Sequence, residues 1–176
     1  MSGHNKWSKI KHKKGAADAA RSKVFGKLAQ LIALESKKSD GNVDSPGLRS
    51  VIDRAKAASM PKNNIERAVA KGAGADGANF EEVLYEAYGP GGVALIIEAV
   101  TDNKNRTTPE IRHILSKQGL ELAAAGSATW AFTKSNDGYE PNTHTEINEA
   151  DGEKLGKLLE ILDEQDDVQE VYTNAQ

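Results

Sequence analysis

Lysines crowd the start of this chain. MSGHNKWSKIKHKK places Lys6, Lys9, Lys11, Lys13 and Lys14 close together, with His4, Trp7 and His12 interleaved, and Arg21, Lys23 and Lys27 follow against Asp18 alone. Cationic side chains at that density neutralise phosphates, and the interleaved rings can stack on exposed bases. The implied chemistry is electrostatic docking on nucleic acid. A solubilising arm, or one that meets an acidic protein surface, is the competing reading. Nothing in the arm supplies base-reading geometry: no helix-turn-helix recognition helix and no RNP aromatic pattern follows it. Composition therefore predicts salt-sensitive, backbone-dominated binding and does not choose between RNA and DNA.

A second basic feature lies in TDNKNRTT (101–108), where Lys104 and Arg106 are the only basic residues between Lys71 and Arg112. Asn103, Lys104, Asn105 and Arg106 fall where a buried strand hands over to a helix. A basic pair beside the free amides of a helix start can hold a phosphate, and an ordinary capped loop is the plainer alternative. Catalytic patterns fail on context. GAGADG (72–77) matches G-x-G-x-x-G, but a dinucleotide site needs that loop to follow a strand and open a helix, and this one follows a helix and leads to a strand. It reads as a linker. There is no Walker A sequence and no G-x-S-x-G. The four histidines stand apart from metal-ligand spacing. The acidic residues of 146–170 read as a solvated helix face, and GPGG (89–92) as a tight turn. The expectation is a protein that is not an enzyme and uses no cofactor or metal.

These residues sit on a chain whose charge is sorted by position. Residues 1–72 hold 16 Lys and Arg against 6 Asp and Glu, whereas 73–176 hold 7 against 20, so the net charge of −3 hides two opposite blocks. A basic block fused to an acidic one predicts a part facing nucleic acid joined to a part facing something else. With 176 residues the chain suits one domain or two small ones. The absence of Cys excludes disulfides, thiolate zinc and thiol nucleophiles. No apolar run is long enough for a membrane span, and the polar, cationic start is unlike a signal peptide. The expected compartment is the cytoplasm, with no membrane partner.

The elements that must position the basic groups follow from periodicity. Residues 1–15 have few apolar anchors and read as an arm. From about Ala16, Val24, Phe25, Leu28, Leu31 and Ile32 form a helical stripe that fades near Lys37. Ser45 and Pro46 suit the N-cap and first position of a second helix, with Leu48, Val51, Ile52 and Ala55 inward. Pro61 suits the first position of a third helix through Ile65, Ala68 and Val69, with Gly72 as its C′ residue. Beyond the Gly/Ala linker the period shortens. Strands are predicted over 83–88, 93–99, 127–133, 142–147 and 168–172, with helices opened by Thr108-Pro109 and built on Leu155, Leu158, Leu159 and Leu162. The fold class is α+β: a basic helical domain (1–72), a linker (73–79), and an acidic ferredoxin-like α/β domain (80–176) whose sheet is mainly antiparallel.

SGHNKWSKIKHKKGAADAARSKVFGKL (2–28), MPKNNIERAVAKG (60–72), YEAYGPGG (85–92), DNKNRT (102–107), GSATWAF (126–132) and DDVQEVYTN (166–174) together resemble the YebC family. That family includes the mitochondrial translational activator of cytochrome c oxidase subunit I. The resemblance spans nearly the whole chain. It implies an N-terminal helical domain followed by α/β domains, and a non-enzymatic role. Members have been described as transcriptional regulators that bind DNA and as translation factors that work on ribosomes. The resemblance carries over Lys6, Lys9, Lys11, His12, Lys14, Arg21, Lys23 and Lys27, together with Asn103, Asn105 and Arg106. Family members insert a further α/β domain after the strand equivalent to SATWAF. In this chain Phe132 is followed only by TKSNDGYEPNTHTEI, so that domain is expected to be missing. The resulting expectation is a two-domain regulator of gene expression. Its partners are RNA, ribosomal above all, or DNA, met through the basic domain, and its acidic part faces solvent or basic ribosomal proteins. The sequence shows no dimer seam.

Overall fold

A computed structural model of the protein describes residues 17–75 and 79–176. The arm lysines Lys6, Lys9, Lys11, Lys13 and Lys14, with Trp7 and His12, lie outside the described residues, as do 76–78 of the linker. The described chain runs through helices α1 (Ala17–Lys38), α2 (Pro46–Ala57) and α3 (Lys62–Ala73). Then come strands β1 (Glu81–Tyr88) and β2 (Ala94–Thr101), α4 (Lys104–Lys117), β3 (Phe132–Ser135), β4 (Gly138–Pro141), α5 (Glu149–Glu164) and β5 (Val168–Thr173). The α+β class and the order ββαββαβ are those expected. The strands, however, divide into a three-stranded sheet ordered β1-β2-β5 and a separate β3-β4 hairpin.

Two compact units emerge, and they are not sequential halves. One comprises 15–83 together with 100–107; the other comprises 84–99 and 108–176. The helical unit thus takes in the start of β1, the end of β2 and the first turn of α4.

In the helical unit, Leu28 and Ile32 of α1, Leu48, Val51, Ile52 and Ala55 of α2, and Ile65 and Ala68 of α3 form one buried core closed by Met60. Val24, expected on the inner stripe, is 47% exposed, because the stripe becomes buried only from Leu28 onward. A second cluster joins Ala33 and Leu34 to Phe80 and Val100. Gly72 is not a C′ residue. It lies buried inside α3, where a Cβ would overlap the Ala33 backbone of α1, and the helix ends at Gly74. Bare backbone at this position allows α1 and α3 to approach closely. Ser45 holds the extended N-cap conformation of α2 without a side-chain capping bond. Pro61 is the N-cap of α3 rather than its first residue.

In the second unit, β2 is buried apart from the half-buried Glu98 and pairs antiparallel with β5, Leu95 opposite Thr173 and Ile97 opposite Val171. Leu155, Leu158 and Leu162 of α5 are buried, as expected from their spacing. The turn between β1 and β2 places Gly91 and Gly92 at φ 75° and 78°, left-handed conformations that glycine adopts without steric cost. Two expected strands are corrected. SATWAF bends through a 3₁₀ turn at Thr129–Ala131 before β3 begins at Phe132. Residues 142–147 shrink to a single bridge, Thr145 beside Ala175, held by the Thr145 and Gln176 amides. Side-chain hydrogen bonds explain both. Asn174 accepts from the Ala94 amide and donates to Thr145, so one buried amide side chain does the joining that a strand would otherwise do.

Candidate nucleic-acid interface

Helices α1 and α3 leave a groove of about 580 Å³ between them. Its apolar floor is built from Phe25, Ala29, Met60, Ala68 and Phe80. Its basic members are Arg21, Arg67 and Lys71, and among the described residues Asp18 is the only acidic one lining it. Helical spacing produces this arrangement. Arg21 and Phe25 are four apart on α1, and Arg67 and Lys71 are four apart on α3, so each pair shares a face. The Lys71 ammonium stands 5.1 Å from the centre of the Phe80 ring, a cation–π geometry, and 4.0 Å from the Asp102 carboxylate. Arg21 and Arg67 are both exposed.

Sequence reasoning grouped Arg21 with Lys23 and Lys27. The groove takes Arg21 alone of the three: Lys23 is exposed and Lys27 half-buried, both elsewhere on α1. Arg67 and Lys71 were missed. Their signal was present in NNIERAVAK, where Asn64, Arg67 and Lys71 recur at helical spacing along the flank of the buried Ile65 and Ala68.

The second predicted site is corrected in form. Residues 104–108 are not a loop but the first turn of α4, and Pro109 lies inside the helix. A proline this near a helix start deprives only the Asn105 carbonyl of its donor, which an early turn tolerates. Asn103 caps the turn through its carbonyl, which accepts from the amides of Arg106 and Thr107 at 3.0 and 3.1 Å. Beneath it, the buried Thr101 and Thr107 hydroxyls meet at 2.8 Å, and Thr101 also accepts from the Asn103 amide. Arg106 points back at this turn. Its guanidinium lies 3.2 Å from the Asp102 carboxylate and 3.4 Å from the Thr101 hydroxyl. Arg106 thus ties the turn together while remaining exposed, and with exposed Lys104, Asn103 and Asn105 it lines a hollow of about 600 Å³.

The second unit holds a buried carboxylate. Glu86, on β1, accepts from the Gly126 amide at 2.7 Å, the Ala128 amide at 2.7 Å and the Thr129 amide at 2.8 Å. Burial pushes its pKa up, but the three amides and the Thr129 hydroxyl together outweigh burial, and the net direction is down. This is an anchor for the SATWAF turn. Among the described residues no group of three His, Asp or Glu side chains could hold a metal ion, and no helix is long and apolar enough to cross a membrane.

The same architecture occurs in a solved structure, a conserved hypothetical protein from Aquifex aeolicus. It is 33% identical, superposes with a TM-score of 0.87, and is matched over 98% of this chain and 97% of its own. Sequence profiles of one family then cover nearly all of the chain. The profile of the TACO1/YebC protein N-terminal domain matches residues 5–75, and that of the TACO1/YebC second and third domain matches 80–136 and 133–175. The chain belongs to the TACO1/YebC family. Among curated relatives, a protein of Thermosipho melanesiensis is 38% identical over 235 aligned positions, covering 99% of this chain and 93% of the relative. One of Desulfatibacillum aliphaticivorans is 48% identical over 181 positions, covering 95% and 72%. Both are named "Probable transcriptional regulatory protein", so by the names its members carry this is a family of transcriptional regulators.

Proposed function

We propose that the protein is a non-enzymatic, nucleic-acid-binding regulator of gene expression that acts in the cytoplasm as a translation factor on ribosomal RNA. The observation that carries the reading is the convergence of Arg21, Arg67 and Lys71 from two helices on one groove lined by a single carboxylate. Cations arrayed along a concave apolar floor suit a phosphate backbone with unstacked bases beside it. The lysine-rich arm adds five positive charges to the chain. Residues 84–99 and 108–176, by contrast, carry 16 Asp and Glu against 5 Lys and Arg. Such a unit is repelled by a second nucleic-acid strand and attracted to basic protein. A ribosome offers both surfaces, and naked duplex DNA offers one.

Sucrose-gradient sedimentation of the protein in its own lysate tests this. The protein should travel with ribosomal subunits, and either high salt or the R21E/R67E double substitution should release it. Protein that stays at the top of the gradient at every salt concentration refutes the ribosomal reading. The names of the curated relatives favour a second reading, transcriptional regulation through DNA. A specific shift of duplex DNA by protein that does not sediment with ribosomes would establish it.

A further inference from the structure

A tryptophan stands on the surface of the acidic unit. Trp130 is 59% exposed, and Tyr88 beside it is 37% exposed. They are held together: the indole N–H of Trp130 donates to the Tyr88 hydroxyl at 3.0 Å, and that hydroxyl donates to the Ser127 carbonyl. The Trp130 carbonyl accepts from the Asn142 side chain at 3.2 Å. Under the same turn lies Glu86 with its three amide donors. The indole's only polar atom is thus satisfied internally, and its carbon face is presented to solvent on a turn whose backbone is tied at five points.

Burial would ordinarily remove an indole from water, and an aromatic pair fixed in place at the surface has the character of a binding anchor: large contact area with little side-chain entropy left to lose. Charge selects the occupant. The segments around the patch, residues 84–88, 119–135 and 138–142, hold two exposed carboxylates, Glu121 and Glu140, beside the buried Glu86, against one cation, Lys134, whose ammonium lies 5.7 Å from the centre of the Tyr139 ring. Glu121 stands at the register position opposite Tyr88, since Leu122 bridges Ala87 in antiparallel sense. Glu140 lies opposite Thr133 on the β3-β4 hairpin and is exposed. An indole face attracts guanidinium through its quadrupole, and flanking carboxylates add to that attraction while repelling phosphate. We infer that the Tyr88–Trp130 patch is a docking site for an arginine-rich segment of a partner protein.

The inference does not depend on what the helical unit binds, because every residue of the patch belongs to the other unit. The test uses full-length protein with Trp7→Phe, so that Trp130 is the only tryptophan, titrated with a fluorescein-labelled arginine-rich peptide at low salt. Saturable quenching of Trp130 is expected, and a lysine peptide of equal charge should bind more weakly. W130A should weaken peptide binding, read by anisotropy, by about tenfold or more. Its thermal midpoint should stay near that of the W7F parent, because the side chain is exposed. Should W130A instead fail to fold, W130F with E121Q provides the same comparison on an intact turn. Equal peptide affinity with and without Trp130 would overturn the proposal, since net charge alone would then account for binding. Quenching by a single-stranded oligonucleotide in preference to the peptide would overturn it as well, and would assign the patch to nucleic acid.

Discussion

Replacing Glu86 by Gln should destabilise the second unit at neutral pH and should cost almost nothing in acid. The wild-type carboxylate receives three amide N–H groups at 2.7–2.8 Å, on two oxygens. Glutamine offers one oxygen and one NH₂. If its oxygen takes the Ala128 and Thr129 amides, the NH₂ confronts the Gly126 N–H, donor against donor. Hydrogen bonds to a charged group contribute about 1.5–3 kcal/mol and neutral ones about 0.5–1.5, so each of the two surviving bonds weakens by about 1 kcal/mol. The third is lost, but Gly126 is exposed and its amide re-bonds to water. The total is about 2–3 kcal/mol. With a urea m value of about 1–3 kcal/mol per molar, the midpoint should fall by roughly 1–2 M.

The pH dependence has a definite sign. The folded-state pKa of Glu86 is held below its ordinary value of 4.5. Its stabilisation is therefore complete above 4.5 and disappears as pH falls through the lower, folded-state value. Protonated Glu86 and glutamine both present one acceptor oxygen and one donor, so the two proteins should converge in acid. Urea titrations of W7F and W7F/E86Q at pH 7 and pH 3, followed by Trp130 fluorescence, report on the turn itself. Equal midpoints at pH 7 would refute the argument that Glu86 anchors this turn. A gap that persisted undiminished at pH 3 would refute the electrostatic part of it.

Gly72→Ala gains the usual helical advantage over glycine, about 0.5–1 kcal/mol, yet places a Cβ against the Ala33 backbone, whose Cα would be 2.8 Å away. Backbone does not yield as a flexible side chain does, so the net effect should be a loss of about 1–3 kcal/mol, seen in thermal melts; a stabilised protein would mean that α1 and α3 are not in close contact. The Tyr172 hydroxyl donates to Glu98 at 3.1 Å, and burial with that carboxylate raises its pKa above the ordinary 10.0. Stability from this group is intact below pH 10 and lost as pH rises beyond it, so Y172F should melt less steeply with pH between 10 and 11 than wild type. If about five phosphates are neutralised, log K against log salt should slope near −4.5 on duplex and −3.5 on a single strand. K11E/K13E/K14E should weaken binding with the melting temperature nearly unchanged, and a large drop in that temperature would show that these lysines support the fold.

How much of this was legible in the sequence depended on whether local pattern or distant contact decided the outcome. Three amphipathic helices could be read because each stripe is periodic within its own helix. Leu28 and Ile32, Val51 and Ile52, and Ile65 and Ala68 are buried as spacing required. Gly72 was misread because its role is set by Ala33, nearly forty positions away, while its local context looks like a helix stop. SATWAFT has the composition of a strand, but its conformation is dictated by Glu86, which withdraws three amides from any ladder. The DNKNRT segment looked like a loop because Thr-Pro is a familiar helix opening. The true start lies earlier, where the Asn103 carbonyl and the paired threonines gather the first turn. Arg106 was visible as a cation, but its pairing with Asp102, one helical turn back, could only follow once the segment was known to be helical.

Folding also changes what the opposed charge blocks mean. The sequence divides at 72 into strongly basic and strongly acidic parts, but the compact helical unit also contains Glu81, Glu82 and Asp102 from beyond that point. Residues 15–83 and 100–107 hold 13 Lys and Arg against 10 Asp and Glu, a small excess spread over many faces. A unit so nearly balanced cannot attract nucleic acid by its net field. Two sources of positive charge remain. One is the arm, with five lysines and no carboxylate among residues 1–14. The other is the α1–α3 groove, where Arg21, Arg67 and Lys71 stand with one acid. The two should therefore be separable. Removing the arm's charge should lower the association rate and its salt dependence, whereas R21E/R67E should mainly raise the dissociation rate. Stopped-flow binding of a labelled single-stranded RNA measures both rates. If R21E/R67E slowed association and left dissociation alone, the groove would be part of the steering field and not the seat of the bound strand.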